Sequence, residues 1–234
     1  MFVYTEKQIR LLVYVDDLAA AAPEARVLDW FYNKLNSRFN IKALGDVSKM
    51  LGIRVTRNRT SRTLELDQEQ YLDKVLRKFG FANAVSKPII TSMDGYDDLK
   101  PGKDIDIRIS ATWYREVIGS LIYAMVYTRP DIAFALGRLS QYMQDLCEHH
   151  ERAVKRLLRY TKSTISYRIR FGPDGKLVVY SDADFASNKF DRKSIIATVG
   201  LIGGGPVFWA SKKQSVVATA ITEAEYIAMC FTAK

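Results

Sequence analysis

Two adjacent acids, Asp16 and Asp17, interrupt an apolar run that reads Leu-Leu-Val-Tyr-Val-Asp-Asp-Leu over residues 11–18. Burying unpaired carboxylates is costly, so the pair is expected at a hairpin tip or in a cleft. Adjacent carboxylates repel each other unless a cation lies beside them, and Mg²⁺ prefers hard oxygen ligands. Asp is also common in ordinary turns that bind no metal. The run therefore predicts a hairpin and leaves open whether its tip binds a cation.

The charge balance favours a polyanionic partner. Lys and Arg number 35 against 26 Asp and Glu in 234 residues, which gives a net charge of +9. Nucleic acid is the first candidate and an anionic membrane surface the second. We expect no membrane span, because no apolar run is long enough, and no signal peptide. Cys147 and Cys230 make no zinc or disulfide framework, so an intracellular protein of the cytoplasm or nucleus is expected.

The N-terminal part of the sequence predicts two β-hairpins, each followed by a helix. Residues 2–4 and 11–15 are predicted strands joined near Lys7 and Gln8, and residues 51–55 and 64–66 form a second pair. Pro23 suits the first turn of the first helix, and Asp67 caps the second. Apolar residues at helical spacing are Leu28, Phe31, Leu35 and Phe39 in the first helix and Tyr71, Leu72, Val75, Leu76 and Phe79 in the second.

Residues 83–109 predict an irregular connection and the main domain boundary, because they combine Pro and Gly with several acids. Helices are predicted beyond it, with Ser110 capping the first, Pro130 starting the second and residues 148–161 forming the third. His149 and His150 could suggest a metal site. Without a Cys or acid pattern beside them, we expect them at the start of a surface helix instead.

The last third of the sequence changes to a β-strand pattern. Residues 177–182, 195–202 and 207–210 are predicted strands, and three glycines at 203–205 join the last two. Residues 167–171 also alternate, and a tight turn follows them at 172–175. Thr222 and Glu225 form the ends of a capping box, which predicts a final helix with Glu225 as the capping acid.

Segments along nearly the whole chain match motifs of one known family and occur in the same order as in that family. They are YVDD at 14–17, MLGIRV at 50–55, the helix at 68–79, YREVIGSLIYAMVYTRPDIAFALGRLSQYM at 114–143, ERAVKRLLRYTKST at 151–164, YSDADFASNKFDRKS at 180–194, GGGPVFWASKKQ at 203–214 and TEAEYIA at 222–228. Together they resemble the C-terminal part of a copia-type retrotransposon polyprotein. The resemblance spans the rear of the reverse transcriptase and the first half of ribonuclease H.

The resemblance assigns Asp16 and Asp17 to the polymerase palm as Mg²⁺ ligands, with Asp16 the better candidate. Two-metal phosphoryl transfer needs carboxylates on both cations. The family's other palm aspartate lies upstream of the YVDD box, and none of the 13 residues before Tyr14 is Asp. Residues 50–55 resemble the hairpin that positions the primer end, and simple packing on the palm core suits them equally well.

The resemblance also matches Asp182 and Glu223 to the first two carboxylates of the ribonuclease H site. They are expected to approach each other and to hold Mg²⁺ around a scissile phosphate. Asp184 could share a face with Asp182, although a role in a turn or cap suits it better. The family's two remaining aspartates lie beyond Lys234, so the chain alone should bind Mg²⁺ weakly.

A stripe of basic residues follows helical spacing in the third predicted helix. It consists of Arg152, Lys155, Arg156, Arg159 and Lys162. Such a stripe is often a plain solvated face. The net charge and the resemblance make phosphate binding an equal alternative. Lys212 and Lys213 are weaker candidates of the same kind.

The sequence thus predicts an α+β protein in three parts. Residues 1–109 hold the rear of a palm and the start of a thumb, 110–165 a helical thumb or connection, and 166–234 a truncated ribonuclease H-like sheet. The resemblance implies a fragment of an RNA-directed DNA polymerase and ribonuclease H, inactive alone because both metal sites are incomplete. Expected partners are an RNA–DNA hybrid and, at an unpaired sheet edge, a completing polyprotein segment or a second copy. The alternative is a domesticated, non-catalytic protein that binds nucleic acid or another protein.

Overall fold

The chain folds into a mixture of helices and antiparallel sheets, as its sequence predicts. A computed structural model describes residues 1–83, 89–93, 99, 110–144 and 146–234. They divide into two units, Met1–Leu51 and Gly52–Lys234, which are described separately. Most of the predicted connection at 83–109 lies outside the described residues. The irregular structure and the domain boundary proposed there stay predictions.

The first unit is built on a three-stranded antiparallel sheet of order β1-β2-β3. Its elements are β1 (Phe2–Tyr4), β2 (Ile9–Tyr14), β3 (Asp17–Ala21), α1 (Ala25–Asn36) and the short β4 (Lys49–Met50). The predicted N-terminal hairpin is confirmed, with Phe2 opposite Leu11. A 3-10 turn at Thr5–Lys7 joins the two strands, and Gln8 follows it with a φ of 52°.

Helix α1 differs from its prediction at both ends. It begins at Ala25, so Pro23 precedes the first turn and does not occupy it. It ends at Asn36, which leaves Phe39 outside the helix and 61% exposed. Phe39 continues the helical spacing of the apolar residues without packing inward, and periodicity alone therefore placed the end of the helix too late.

The second unit contains the remaining strands and helices. Its strands are β5 (Ile53–Asn58), β6 (Thr63–Asp67), β7 (Ile169–Phe171), β8 (Leu177–Asp184), β9 (Ile195–Ile202) and β10 (Gly205–Lys213). Its helices are α2 (Glu69–Lys78), α3 (Ala111–Tyr127), α4 (Ala133–Leu139), α5 (Glu148–Ser163) and α6 (Ile221–Thr232), with 3-10 turns at Pro130–Ile132 and Ser140–Tyr142. The predicted cap of α3 is confirmed, since Ser110 Oγ accepts the Trp113 N–H at 3.3 Å. Asp67 accepts the Glu69 N–H at 3.2 Å, although Gln68 holds the N-cap position of α2.

One large apolar core lies among helices α2 to α5. Leu121, Leu136 and Leu157 are at most 1% exposed, and each represents about 1.5–3 kcal/mol of burial. Partly buried rings at its margin include Phe79 and Trp113, which meet edge to face at 6.4 Å. None of the helices in the described ranges is both long and apolar enough to cross a membrane.

A buried arginine ties the start of α4 to the end of α5. The Arg129 side chain is 1% exposed, and two of its nitrogens donate to the Asp131 carboxylate at 2.9 and 2.7 Å. It also donates to Thr164 Oγ1, and the Tyr160 hydroxyl donates to Asp131 at 2.9 Å. Burial and the Asp131 carboxylate raise the pKa of Tyr160 to about 12, so its phenol is protonated and donates at neutral pH.

Two separate antiparallel sheets flank this core. The strands β5, β6 and β7 form one, and β8, β9 and β10 form the other in the order β10-β9-β8. Strand β7 pairs with β6, where Leu66 lies opposite Ile169, although the two are far apart in sequence. The predicted strand at 195–202 matches β9 at both ends. The connection between β9 and β10 contacts the turn before β8, where Gly172 N–H donates to Gly203 O at 2.7 Å.

Candidate active site and nucleic-acid interface

The YVDD box forms the tip of the β2–β3 hairpin. Strand β2 ends at Tyr14 and β3 begins at Asp17, and these two residues lie opposite each other. Val15 and Asp16 are therefore the two-residue loop. Val15 has a φ of 50° and is 80% exposed. A β-branched residue rarely adopts a positive φ, and such strain is typical of functional turns.

The two carboxylates at this tip are available to a ligand. Asp16 and Asp17 are both exposed, and neither carboxylate forms a hydrogen bond or ion pair within the described part of the chain. Adjacent free carboxylates supply the hard oxygen donors that Mg²⁺ prefers, so the donor set fits this ion. No third Asp, Glu, His or Cys among the described residues joins them in a cluster.

Strand β8 carries the candidate acids Asp182 and Asp184 on one of its faces. Ala183 packs with Ala224 and Ala228 of α6, so this face of the sheet is covered by the helix. Because side chains alternate along a strand, Asp182 and Asp184 lie on the opposite face. Both are exposed, and β8 is an outer strand among those described. The structure records no contact of Asp182 with Glu223 within the described residues, so their predicted approach stays a proposal.

The start of α6 corrects the predicted capping box. The helix begins at Ile221 with Ala220 as its N-cap, not at Thr222. Glu223, not Glu225, is the capping acid, and it accepts the N–H and the hydroxyl of Thr219 at 2.7 and 2.8 Å. These two donors lower the pKa of the Glu223 carboxyl below its ordinary value. Glu225 is half-buried, and its carboxylate has no hydrogen bond among the described residues.

Most members of the basic stripe on α5 already contact other side chains. Lys155 pairs with Glu151 at 2.6 Å, and Arg152 lies 4.0 Å from Glu148 while its side chain is 71% exposed. Arg156 donates to Thr91 Oγ1 at 2.8 Å, and the Arg159 guanidinium lies over the Phe81 ring. Of the two weaker candidates, Lys212 lies over the Phe231 ring and Lys213 pairs with Asp191 at 2.9 Å. Lys162 is half-buried. Arg152 is consequently the most accessible cation for phosphate.

The prediction for the histidine pair is confirmed for its place at the start of a helix and wrong for its exposure, because His150 is not on the surface. His150 is fully buried, and buried Cys147 lies only three residues before it. The Cys147 sulfur lies 3.1 Å from His149 Nδ1 and 3.2 Å from His150 Nδ1. A Cys-x-His-His spacing is visible in the sequence and could have revealed this cluster. It was missed because the cysteines were assessed only for paired frameworks.

Comparison with known proteins identifies the family of the chain. Residues 1–92 match the family model described as reverse transcriptase (RNA-dependent DNA polymerase). The chain is 38% identical over 234 residues to the retrovirus-related Pol polyprotein from transposon TNT 1-94 of Nicotiana tabacum, covering 97% of this chain and 17% of that protein. It is 36% identical over 220 residues to the corresponding polyprotein from transposon RE1 of Arabidopsis thaliana, covering 93% and 15%.

A shorter relative aligns over most of its own length. The putative transposon Ty5-1 protein of Saccharomyces cerevisiae is 30% identical over 225 residues, covering 94% of this chain and 71% of that protein. The chain spans about a sixth of the long Pol polyproteins, by the 17% and 15% coverage. No solved structure gives a significant match. The chain belongs to the copia-type retrotransposon Pol polyproteins and includes part of their reverse transcriptase.

Proposed function

We propose that this chain carries the metal-binding turn of a polymerase palm, a helical thumb and connection, and the first half of a ribonuclease H-like sheet. The proposed limits are residues 1–109, 110–165 and 166–234. The observation that carries the proposal is the hairpin tip, where Asp16 and Asp17 present free carboxylates on a strained two-residue turn. The proposed reaction of the parent protein is RNA-directed DNA synthesis coupled to degradation of the RNA strand.

Asp16 and Asp17 are the proposed palm ligands of Mg²⁺. When bound, Mg²⁺ neutralises charge on the transferred phosphoryl group and its leaving oxygen. The protein contributes position, because the β2–β3 pairing fixes both acids at the end of a rigid hairpin. Val15 is exposed beside them and offers an apolar surface to a nucleotide or primer end.

Asp182 and an acid of α6 are the proposed nuclease ligands. Support comes from the order of the elements, in which three antiparallel strands precede the helix that carries Glu223 and Glu225 near its start. Asp182 lies on the face of β8 away from that helix, so the proposed site would lie at the end of the strand. Glu223 retains one carboxylate oxygen outside its bonds to Thr219, because both bonds go to Oε2. Glu225 adds a second candidate two residues later, since its carboxylate is not engaged with any described residue.

The outer edge of β8 is the proposed docking edge for a further strand. Leu177, Val179 and Tyr180 are 52%, 41% and 58% exposed, and no described strand pairs with the free side of β8. Exposed apolar edges favour pairing with another chain or segment. A completing polyprotein segment fits this edge, and a second copy of the chain is the alternative occupant.

The proposed nucleic-acid interface is the exposed face of α5. We expect the double variant Arg152→Ala with Lys155→Ala to weaken binding of an RNA–DNA hybrid about equally for all sequences, because phosphate contacts carry no sequence information. Each lost contact should reduce the slope of log K against log salt by about 0.9. Fluorescence anisotropy of a labelled hybrid at several salt concentrations measures both quantities.

A matched control removes the same charge from another helix. Lys74 and Arg77 are exposed on α2, and replacing both with Ala should leave the salt slope unchanged. Arg156 is left intact, because its bond to Thr91 makes its removal a structural change as well. An equal loss of slope in both double variants would show that net charge, and not the position of the residues on α5, determines the salt dependence of binding. An unchanged slope in the α5 variant would make the stripe a solvated surface.

The isolated 234-residue polypeptide should neither extend a primer on RNA nor cleave the RNA strand of a hybrid. Two-metal chemistry needs carboxylates on both cations. Neither the Asp16–Asp17 tip nor Asp182 belongs to a cluster of three ligands in the described part of the chain. Primer extension and hybrid cleavage with Mg²⁺ and with Mn²⁺ test this expectation.

Two variants make the activity test decisive. Template-dependent extension that disappears in Asp16→Ala would show that the polypeptide is a complete polymerase. Cleavage that disappears in Asp182→Asn would show the same for the nuclease. Activity that survives both changes would come from a contaminant, and the polypeptide itself would still be judged inactive.

A further inference from the structure

Three metal-ligand side chains converge at the start of α5. Cys147 is the N-cap residue, and His149 and His150 lie in the first turn of the helix. Their ligand atoms all lie within 4.8 Å of one another, and no other group of three such side chains occurs in the described ranges. We propose that Cys147, His149 and His150 form a binding site for Zn²⁺. The site shares no residue with the proposed polymerase or nuclease acids and does not depend on either function.

The distances between the donor atoms suit one zinc ion. Zn–S and Zn–N bonds of about 2.3 and 2.0–2.1 Å place sulfur and nitrogen ligands about 3.5 Å apart in a tetrahedron. The Cys147 sulfur lies 3.1 Å from Nδ1 of His149 and 3.2 Å from Nδ1 of His150. The same sulfur also lies 3.4 Å from His149 Nε2, nearly equidistant from both nitrogens of that ring. The His149 side chain must therefore rotate to direct one nitrogen at the ion. Three protein ligands leave the fourth position to water.

The surroundings hold one ligand firmly and leave another accessible. His150 is fully buried and stacks on Tyr142 with ring centroids 4.5 Å apart. Tyr142 is itself fixed, because its hydroxyl donates to Leu99 O at 2.8 Å. His149 is only half-buried, with its ring 4.1 Å from that of His150, so an ion can enter from its side. A ligand side chain that packing already holds in place loses less conformational entropy when the ion binds.

The thiolate of Cys147 is essential to this site for an electrostatic reason. The N-terminus of a helix is its positive end and disfavours a cation. A thiolate supplies a full negative charge there, and helix N-termini stabilise thiolates. His150 Nδ1 accepts the Cys147 backbone N–H at 3.2 Å, so zinc on this nitrogen would replace that bond. The metal-free state is thus a capped helix, and zinc competes with the cap.

Metal titration of the whole, reduced protein tests the site. We expect one Zn²⁺ or Co²⁺ per chain, a thiolate-to-Co²⁺ charge-transfer absorption, and a higher melting temperature with zinc. Cys147→Ser should abolish the absorption and lower affinity by more than about 100-fold, since loss of even an outer partner costs about 10–100-fold. Serine is a good N-cap residue, so this variant keeps the helix start.

Cys230→Ser is the matched control, because Cys230 is the exposed second cysteine. It should bind like the wild type. His149→Gln should keep the thiolate absorption and lose at least about tenfold in affinity, and circular dichroism verifies the fold of each variant. Wild-type affinity in Cys147→Ser would overturn the site, as would an absorption that depends on Cys230. Failure of the wild-type protein to bind Zn²⁺ would overturn it directly.

Discussion

Replacing Arg129 with alanine should lower the free energy of unfolding by about 3 kcal/mol, the lower end of the range for a broken buried pair. The Arg129 side chain is 1% exposed, whereas Asp131 is 26% exposed and keeps some contact with water. The change removes two bonds to Asp131 and one to Thr164, and it leaves Asp131 beside the buried Tyr160. Urea unfolding with an unchanged m-value measures the loss.

An exposed pair of the same chemistry is the control. Arg77 and Asp73 lie one turn apart on α2 at 2.7 Å, with side chains 68% and 43% exposed. Arg77→Ala should cost no more than about 0.5 kcal/mol, because solvent screens exposed pairs. A cost below about 1 kcal/mol for Arg129→Ala would show that its network contributes no more than a surface pair.

Gly203→Ala should destabilise the protein by about 2–5 kcal/mol, the sum of a strained backbone and a steric clash. Gly203 has a φ of 59°, and a Cβ there would lie 2.5 Å from Gly172 O and 2.9 Å from Gly172 N. Backbone atoms cannot rotate away as a side chain can. The hydrogen bond from Gly172 N–H to Gly203 O would therefore be stretched or lost. Thermal and urea unfolding both report this change.

The neighbouring glycine separates the two contributions. Gly204 also has a positive φ, 78°, but a Cβ there would meet nothing within 4 Å. Gly204→Ala should thus cost only the conformational part, about 1–2 kcal/mol. Equal costs at the two positions would contradict the clash with Gly172.

Local patterns predicted the elements well where a short-range rule decides the structure. The Ser110 cap and the limits of β9 at Ile195 and Ile202 follow from side-chain chemistry and alternation within a few residues. Helix ends were less predictable. The donors to Glu223 come from Thr219, before the helix, and they shift the start of α6 away from the Thr222 pattern.

Nonlocal features could not be predicted from the same patterns. The pairing of β7 with β6 depends on where the intervening helices place each strand, and a three-residue strand carries no information about its partner. Burial of His150 beside Tyr142 likewise depends on packing between α5 and the 3-10 turn before it. The candidate acids were predicted from the resemblance. Their exposure and the contacts of Glu223 with Thr219 depend on the fold and could not be predicted from the sequence.

The β6–β7 pairing has a consequence for the protein during its synthesis. Glu65 of β6 and Arg168, the residue just before β7, form an ion pair and are 103 positions apart. At about 5–20 residues per second, the ribosome needs on the order of 5–20 s to deliver β7 after β6. Strand β6 therefore emerges long before its partner and must wait with one edge open. Glu65 keeps that edge charged, and charged edges resist pairing with other nascent chains until Arg168 and Arg170 arrive to neutralise it.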